Sequence, residues 1–333
     1  MDRNKSIDIF RAVAAFFIIT IHVTFVGTTF FVPVARYAVP FFFILSGYFV
    51  FSKDVLPALY KQIKKMFVLV LLSNFLYGLF FLAISFLKTK DIVQSLSSLI
   101  SLETILKFIF LNEPPFSGHL WYLSAFLYCL IFAVIIHKKN LYKLTNILIP
   151  FLLLTDLVLG KYSLLIFNHQ IPYIFLRNFL FVGIPYFYIG RLILLHKDEI
   201  LKQFTLRKSG VLILLFAITT ILEKYFLIFM NANATRDHYI SSTFLAIFVF
   251  IFSLNLHIQK SSKIVDLISD IGRKHSLSIY LVHPFIIYVF GYIITKMPIL
   301  NSAYYFTAPV VVFVISSVLS AVYYKIKDSV RKY

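Results

Sequence analysis

The apolar positions of this chain do not alternate with a period of two, and they are rarely confined to one helical stripe. They run on in blocks. FFIITIHVTF, residues 16–25, is one of them: apolar on almost every face of a helix, yet carrying an imidazole at His22. Such a block is stable as a helix in hydrocarbon, where backbone groups must be satisfied inside the segment and about 20 residues cross the apolar core. The blocks and the residues that break them predict helices near 9–27, 34–52, 64–87, 118–137, 143–160, 175–195, 209–230, 239–258, 276–296 and 303–325. The longest connection, 88–117, places Ile92, Leu96, Leu99 and Ile100 at helical spacing among serines. An amphipathic helix lying in the interface is expected there, stopped by Asn112-Glu113-Pro114-Pro115. Without alternating segments, a β-barrel is disfavoured. The expected fold is all-α: a polytopic membrane protein whose ten transmembrane helices make one domain over residues 1–333, with no internal repeat and no soluble domain.

Composition sharpens this picture. Of 333 residues, 60% are hydrophobic and 14% charged, well below the charge of a soluble domain, and Phe (39) and Tyr (21) are abundant, as where rings face lipid and headgroups. The first block has no small-residue cleavage site and a second follows at once, so it reads as a retained helix rather than a signal peptide. A single cysteine, Cys129, excludes an internal disulfide framework and a Cys-rich metal site, and reads as a small apolar helix residue. No metal is expected.

The net charge of +18 would point to nucleic acid in a soluble chain. Here the basic residues sit in short loops, and topology accounts for them without a nucleic-acid partner. One set of loops holds Arg3, Lys5, Lys53, Lys61, Lys64, Lys65, Lys138, Lys139 and Lys143. The same set continues through Lys197, Lys202, Arg207, Lys208, Lys260, Lys263, Arg273, Lys274, Lys325, Lys327, Arg331 and Lys332. The alternate loops hold far fewer. The positive-inside rule then puts both termini in the cytoplasm, as an even number of spans requires.

Buried polar residues carry the candidate chemistry. Asp8, Arg11, Ala15, Ile18 and His22 fall on one helical stripe, with a small alanine where another helix can approach. At about 1.5 Å per residue, His22 lies in the outer half of the bilayer. An imidazole there either makes an interhelical hydrogen bond or faces a water-filled cavity, and Glu223, at similar depth in the seventh span, is a plausible partner. Arg36, His119 and Arg177 mark the outer ends of other spans, with Arg236-Asp237-His238 in a short outer loop. Trp121 and Tyr122 have the plain alternative of interfacial anchors, and the arginines that of snorkelling to headgroups. In PFFFILSGYFVF, Pro40 and Ser46-Gly47 point either to local unwinding or to close helix packing. In SIYLVHPF, Pro284 is expected to kink the ninth span beside His283. Walker A, GxGxxG, HExxH, CxxC and GxSxG motifs are absent, so ATP-driven transport and zinc proteolysis have no footing.

SIDIFRAVAAFFIITIHV resembles the opening of the acyltransferase-3 family, and RYAVPFFFILSGYF, GHLWYLSAFLYCLI, RNFLFVGIPYFYIGRL and SLSIYLVHPF follow in family order. The resemblance implies a ten-helix membrane enzyme of the cell (plasma or inner) membrane. Such an enzyme passes an acyl group, usually acetyl, from cytoplasmic acyl-CoA to a hydroxyl of an extracytoplasmic acceptor such as peptidoglycan or another surface glycan. No permanently bound cofactor is implied; acyl-CoA is the donor substrate. The family's histidine and arginine map onto His22 and Arg11. Where the family has paired arginines, YKQIKKMF has Lys61, Lys64 and Lys65, which keep the charge but lose the bidentate fork. HLWYLSAFLY resembles a subgroup that includes the membrane domain of VanT-type serine racemases of vancomycin resistance. That subgroup implies an alternative function, L-serine transport, with a fused or associated cytoplasmic racemase, and the chain reads as either a complete small acyltransferase or an excised membrane domain.

For acyl transfer, His22 is expected as general base or transient nucleophile, oriented by Glu223 or Asp8. Lys61, Lys64 and Lys65 would hold the coenzyme, with its pantetheine arm beside Ser46. Arg36 or Arg177 would steady an oxyanion or an anionic acceptor, in a region that also has His119, Trp121, Tyr122 and Arg236. For transport, Arg177 or Arg36 would meet a carboxylate and Glu223 an ammonium, with the second and ninth spans as gates.

Overall fold

A computed structural model describes residues 4–258 and 262–330, so Arg3, Lys260, Arg331 and Lys332 of the charge pattern lie outside the described residues. Among the described residues every regular element is helical. In chain order the α-helices are α1 (Lys5–His22), α2 (Thr28–Ala35), α3 (Ala38–Phe51), α4 (Val55–Thr89), α5 (Ile92–Leu99), α6 (Leu102–Leu111), α7 (Trp121–Lys138) and α8 (Tyr142–Leu159). They continue as α9 (Ser163–Phe167), α10 (Ile184–Leu195), α11 (Lys197–Gln203), α12 (Leu206–Phe229), α13 (Ile240–Asn255), α14 (Lys263–Asp270), α15 (Ser276–Lys296) and α16 (Asn301–Val330). A π-helical turn, Ile271–His275, joins α14 to α15, and another, Phe179–Gly183, leads into α10.

Among the described residues, eight helical runs are long and apolar enough to cross a membrane, or nine if Phe179–Leu195 and Lys197–Gln203 are one span. The two expected spans that fall short do so for different reasons. Helix α1 carries Lys5, Asp8 and Arg11 within its 18 residues, and α13 has only 16 residues. Ile92–Leu111, expected to lie in the interface, is itself one of the eight. It is split at Ile100, which is extended (φ −125°, ψ 117°), and Ser101 then caps α6 by accepting the Thr104 N–H. Helix α6 ends where Asn112 turns left-handed at φ 51°, just before the two prolines.

The helix ends are set by local chemistry. Asn4 caps α1 by accepting the N–H groups of Ser6 (2.9 Å) and Ile7 (3.4 Å). The helix stops at His22, not near residue 27, because Val23 is extended and Thr28 closes a turn on Phe25, accepting from its N–H (2.8 Å) and donating to its C=O (2.7 Å). Those two bonds satisfy groups that a longer α1 would have used.

The chain packs as two compact units. Unit 1 takes the described residues of Met1–Phe42, Lys197–Phe229 and His238–Tyr333; unit 2 takes Phe43–His196 and Met230–Asp237.

Helix α1 is the hub of unit 1, packed against α2, α13, α14, α15, α16 and the π-turn. Its alanines make this possible. A Cβ on Gly272 would fall 1.7 Å from the Asp8 carbonyl oxygen, so the π-turn and α1 touch backbone to backbone. The core around it is formed by Ala15, Ile19, Val23, Ile279, Ile286 and Ala308. Contacts fix the helix directions. Ser6 Oγ donates to the Leu256 carbonyl, so α1 starts where α13 ends. Asn255 Nδ2 donates to Phe204 O at 2.6 Å, and Glu223 meets Ile240, so α12 and α13 form an antiparallel hairpin. His275 meets Ser320 (2.8 Å) while Phe290 stacks on Tyr304 (5.6 Å), so α15 and α16 are antiparallel.

In unit 2, α3 and α10 cross in backbone contact. A Cβ on Gly47 would lie 1.8 Å from Phe187 O, and one on Gly190 would lie 2.1 Å from Ile44 O. Helix α3 is unbroken through Pro40, Ser46 and Gly47. The unwinding that Ser46-Gly47 suggested does not occur: the glycine serves close approach, and Pro40 sits in the first turn, where its missing N–H is not needed. Helix α7 runs antiparallel to α4, with Tyr77 against His119 at one end and Lys138 over Tyr60 at the other.

Candidate functional site

His22 ends α1 with an exposed ring, about 25 Å along the helix from Lys5. Its neighbour is a second imidazole: the rings of His22 and His283 lie 5.2 Å apart, tilted by 44°. His283 is fully buried in α15, and its Nδ1 meets Ile279 O at 3.2 Å. The helix stays helical across Pro284, so the expected kink is not a break.

Arg11 and Asp8 occupy the other end of α1. Arg11 pairs with Asp8 (3.4 Å) and donates to Arg273 O (3.4 Å) and Ser276 Oγ (3.5 Å). These contacts tie α1 to the start of α15. Since Arg11 meets Ser276 and His22 meets His283, the two helices run in the same direction. Asp8 lies fourteen residues before His22, about 21 Å along the helix, so it cannot orient that ring. Its work is to hold Arg11.

Glu223 is engaged at the start of α13. It accepts the N–H groups of Ile240 (2.9 Å) and Ser241 (3.1 Å) and the Ser241 hydroxyl. A carboxylate at a helix N-terminus is favoured by both orphan donors and dipole, which explains a charge at this depth without a catalytic role. The next residue, Lys224, donates to Thr29 O at 2.8 Å and so fastens α12 to α2. Arg36, half-buried, follows α2, its backbone N–H donating to Pro33 O at 3.2 Å.

Unit 2 brings together several of the residues expected at outer span ends. The Arg177 guanidinium lies 4.4 Å over Tyr173 and 5.4 Å over Trp121, and Arg236 lies 5.1 Å over the same Tyr173 ring. Cations over aromatic faces are held electrostatically by the ring quadrupole. Arg236 is buried and donates to Gln170 Oε1 (3.2 Å), Thr235 O (3.0 Å) and the Ile171 carbonyl. That burial pulls its guanidinium below the usual arginine range. Buried Lys161 donates to Ala234 O (2.8 Å) and Arg236 O (3.4 Å). These bonds commit Arg236 and Lys161 to fixing loops 161–178 and 230–237. Arg177 is half-buried between these rings. His119 is buried, its Nδ1 at 2.7 Å from Ser117 Oγ and its ring edge-on to Tyr77. Tyr122 belongs instead to the ring core, 4.8 Å from Phe43 and stacked on Phe126.

Lys61, Lys64 and Lys65 are exposed in the first turns of α4, while Ser46 is half-buried in α3. Sequence reasoning missed Tyr173, Lys161 and Gln170, and it read His283 only through its proline. The one signal for His283 was an ionisable residue inside an apolar span, the same signal that marked His22.

The sequence model of the acyltransferase-3 family, described as an acyltransferase domain, matches residues 4–322. The chain belongs to the acyltransferase-3 family. No curated protein and no solved structure matches it. The matched range takes in every candidate residue named above. With its long apolar helices, the chain is a multi-pass membrane acyltransferase.

Truncating the cation of unit 2's cluster gives a specific expectation. Arg177→Ala should raise the acceptor KM roughly tenfold, the scale of a lost charged contact of about 1.5 kcal/mol, and leave the donor KM unchanged. Steady-state kinetics with each substrate varied in turn reads this directly.

Proposed function

We propose that this acyltransferase moves an acetyl group from cytoplasmic acetyl-CoA to a hydroxyl of an extracytoplasmic cell-envelope acceptor, a peptidoglycan or other surface glycan. The observation that carries the reading is His22: an exposed imidazole terminating the central helix of unit 1, in a chain of this family. Neutral imidazole, with an unperturbed pKa of about 6.5, is a competent general base at physiological pH. It takes the acceptor's hydroxyl proton as the oxygen attacks the thioester carbonyl; the C–S bond breaks, and the proton passes to the departing coenzyme thiolate. Lys61, Lys64 and Lys65 attract the coenzyme phosphates as point charges, and Ser46 lies beside the pantetheine arm. Arg177, flanked by Trp121 and Tyr173, meets the acceptor; Arg236 and Lys161 hold that cluster's loops. Arg11 and Asp8 act structurally, setting α1 against α15.

The protein sits in the plasma or inner membrane with ten spans and both termini cytoplasmic. Helix directions in unit 1 support this order: α1, α12 and α15 run one way and α13 and α16 the other, as first, seventh and ninth spans against eighth and tenth.

The test uses the full chain in proteoliposomes with labelled acetyl-CoA sealed inside and a cell-envelope glycan outside. Label is expected as an O-acetyl ester on the outer glycan. Influx of labelled L-serine without any acetyl transfer would instead make this a transport domain.

A further inference from the structure

Unit 2 holds two buried donors that acyl transfer, as set out above, does not use. Tyr188 and Arg191 share one face of α10. Tyr188 is fully buried, and its hydroxyl has no hydrogen-bond partner. The Arg191 Nη1 is likewise closed to solvent and without a partner, and among the described residues no carboxylate pairs with this guanidinium. Each unpaired buried donor is a standing free-energy cost, larger for a charged group than for a neutral one.

What holds Arg191 is aromatic. Its guanidinium lies 3.8 Å over the Tyr142 ring and 5.6 Å over Phe51, and the Tyr142 hydroxyl is itself hydrogen-bonded to His137 Nδ1. The Tyr188 ring lies 5.5 Å from Phe51 and 6.4 Å from Tyr142, so both donors border the same rings. Stacking uses the face of a guanidinium and leaves the N–H groups in its plane for other partners. The chain around this cluster is strongly basic: residues 51–65 and 137–143 carry seven lysines, all exposed, against one acid, Asp54. The two segments meet where Lys138 lies 5.8 Å over Tyr60, one residue before Lys61.

The geometry points to a phosphate-binding site at this basic end of unit 2, built by Arg191 and Tyr188. A phosphate oxygen only accepts, so it satisfies both donors, and its charge balances the guanidinium. Arg191 can take two such oxygens at once, which the surrounding lysines cannot. The lysines raise the local concentration of the anion. It then enters past Arg191 and Tyr142, which are only half-buried. Two sources carry this group at a membrane surface, a coenzyme and an acidic phospholipid headgroup. The site stands without the acyl-transfer reading; only the assignment of its phosphate to the coenzyme rests on that reading.

The full chain, delipidated in a neutral detergent, is titrated calorimetrically with coenzyme A. Its retention of phosphatidylglycerol over phosphatidylcholine is read separately by native mass spectrometry. Arg191→Lys keeps the charge but loses the fork, and should weaken phosphate binding by at least about tenfold; Tyr188→Phe removes one donor and should weaken it by about threefold or more. Loss confined to coenzyme A makes the coenzyme the source, and loss confined to phosphatidylglycerol makes it the lipid. Parent-like binding of both probes in either folded variant overturns the inference. Without ligand, Tyr188→Phe should melt at or above the parent, because an unpaired buried hydroxyl is gone. A clear fall in that melting temperature would show the hydroxyl already satisfied within the protein, and would also overturn the inference. That measurement and the Tyr188→Phe titrations decide the matter should Arg191→Lys fail to fold. If the parent binds coenzyme A through these two residues yet transfers no acetyl group, the enzymatic reading falls and the phosphate site remains.

Discussion

His22→Ala should reduce acetyl transfer by about 10²–10⁴-fold, the range that one general base supplies, while the protein remains folded and its coenzyme KM barely moves. The selectivity of that loss follows from where the ring sits. It is exposed at the last residue of α1, between the buried Ile19 and Val23, so truncation removes little packing. The lysines assigned to the coenzyme belong to α4 and are untouched. His22→Gln should be nearly as inactive, because an amide cannot take the proton. Turnover measured alongside the detergent melting temperature checks both halves. A comparable fall in stability would mean that His22 is a packing residue; retained turnover would mean that the base lies elsewhere.

Gly47→Ala should destabilise the protein severely for the addition of one methyl group. The new Cβ would lie 1.8 Å from Phe187 O and 2.8 Å from Phe187 C, both backbone atoms of α10 that no rotamer change can move. Overpacking costs about 1–3 kcal/mol where side chains can adjust, and here the helices themselves must part, so the upper end or beyond is expected. Gly190 meets Ile44 O in the same crossing, so the pair is coupled. Gly47→Ala with Gly190→Ala should cost less than the sum of the two single changes, since helices already separated by one methyl admit the second. Melting temperatures of the four proteins form the cycle. Parent-like stability in Gly47→Ala would show that α3 and α10 do not touch at this point.

Much of the architecture was legible because hydrocarbon imposes a simple rule: long apolar blocks become helices. Helix ends were less so. Helix α1 begins at Asn4's cap and stops at Thr28's turn on Phe25, each decided by the hydrogen bonds of one side chain inside or beside an apolar run. The Ser46-Gly47 pair shows a different limit. Small residues license either unwinding or close approach, and only the partner helix, with Gly190 opposite, decides between them.

The chemistry divided in the same way. His22 stood out because a histidine in a span is expensive, and Arg177, Trp121, His119 and Arg236 because they cluster near predicted span ends. Tyr173 and Lys161 gave no such signal, since a tyrosine and a lysine in a loop are ordinary; their roles arise when loops 161–178 and 230–237 fold onto each other. Glu223 misled because its depth alone was read. Its partners are the N–H groups of the next helix, reached through the α12–α13 turn. The pairing of His22 with His283 depends on the register of two helices far apart in sequence, which no local pattern contains.

The most direct test of the account asks whether the donor's reactive end arrives at His22. Purified protein is saturated with an uncleavable acetyl-CoA analogue bearing CH₂ in place of the thioester sulfur, and His22 is then labelled with diethyl pyrocarbonate. The account predicts strong protection of His22 that is lost when Lys61, Lys64 and Lys65 are all replaced by glutamine. Labelling at the same rate with and without the saturating analogue would contradict it.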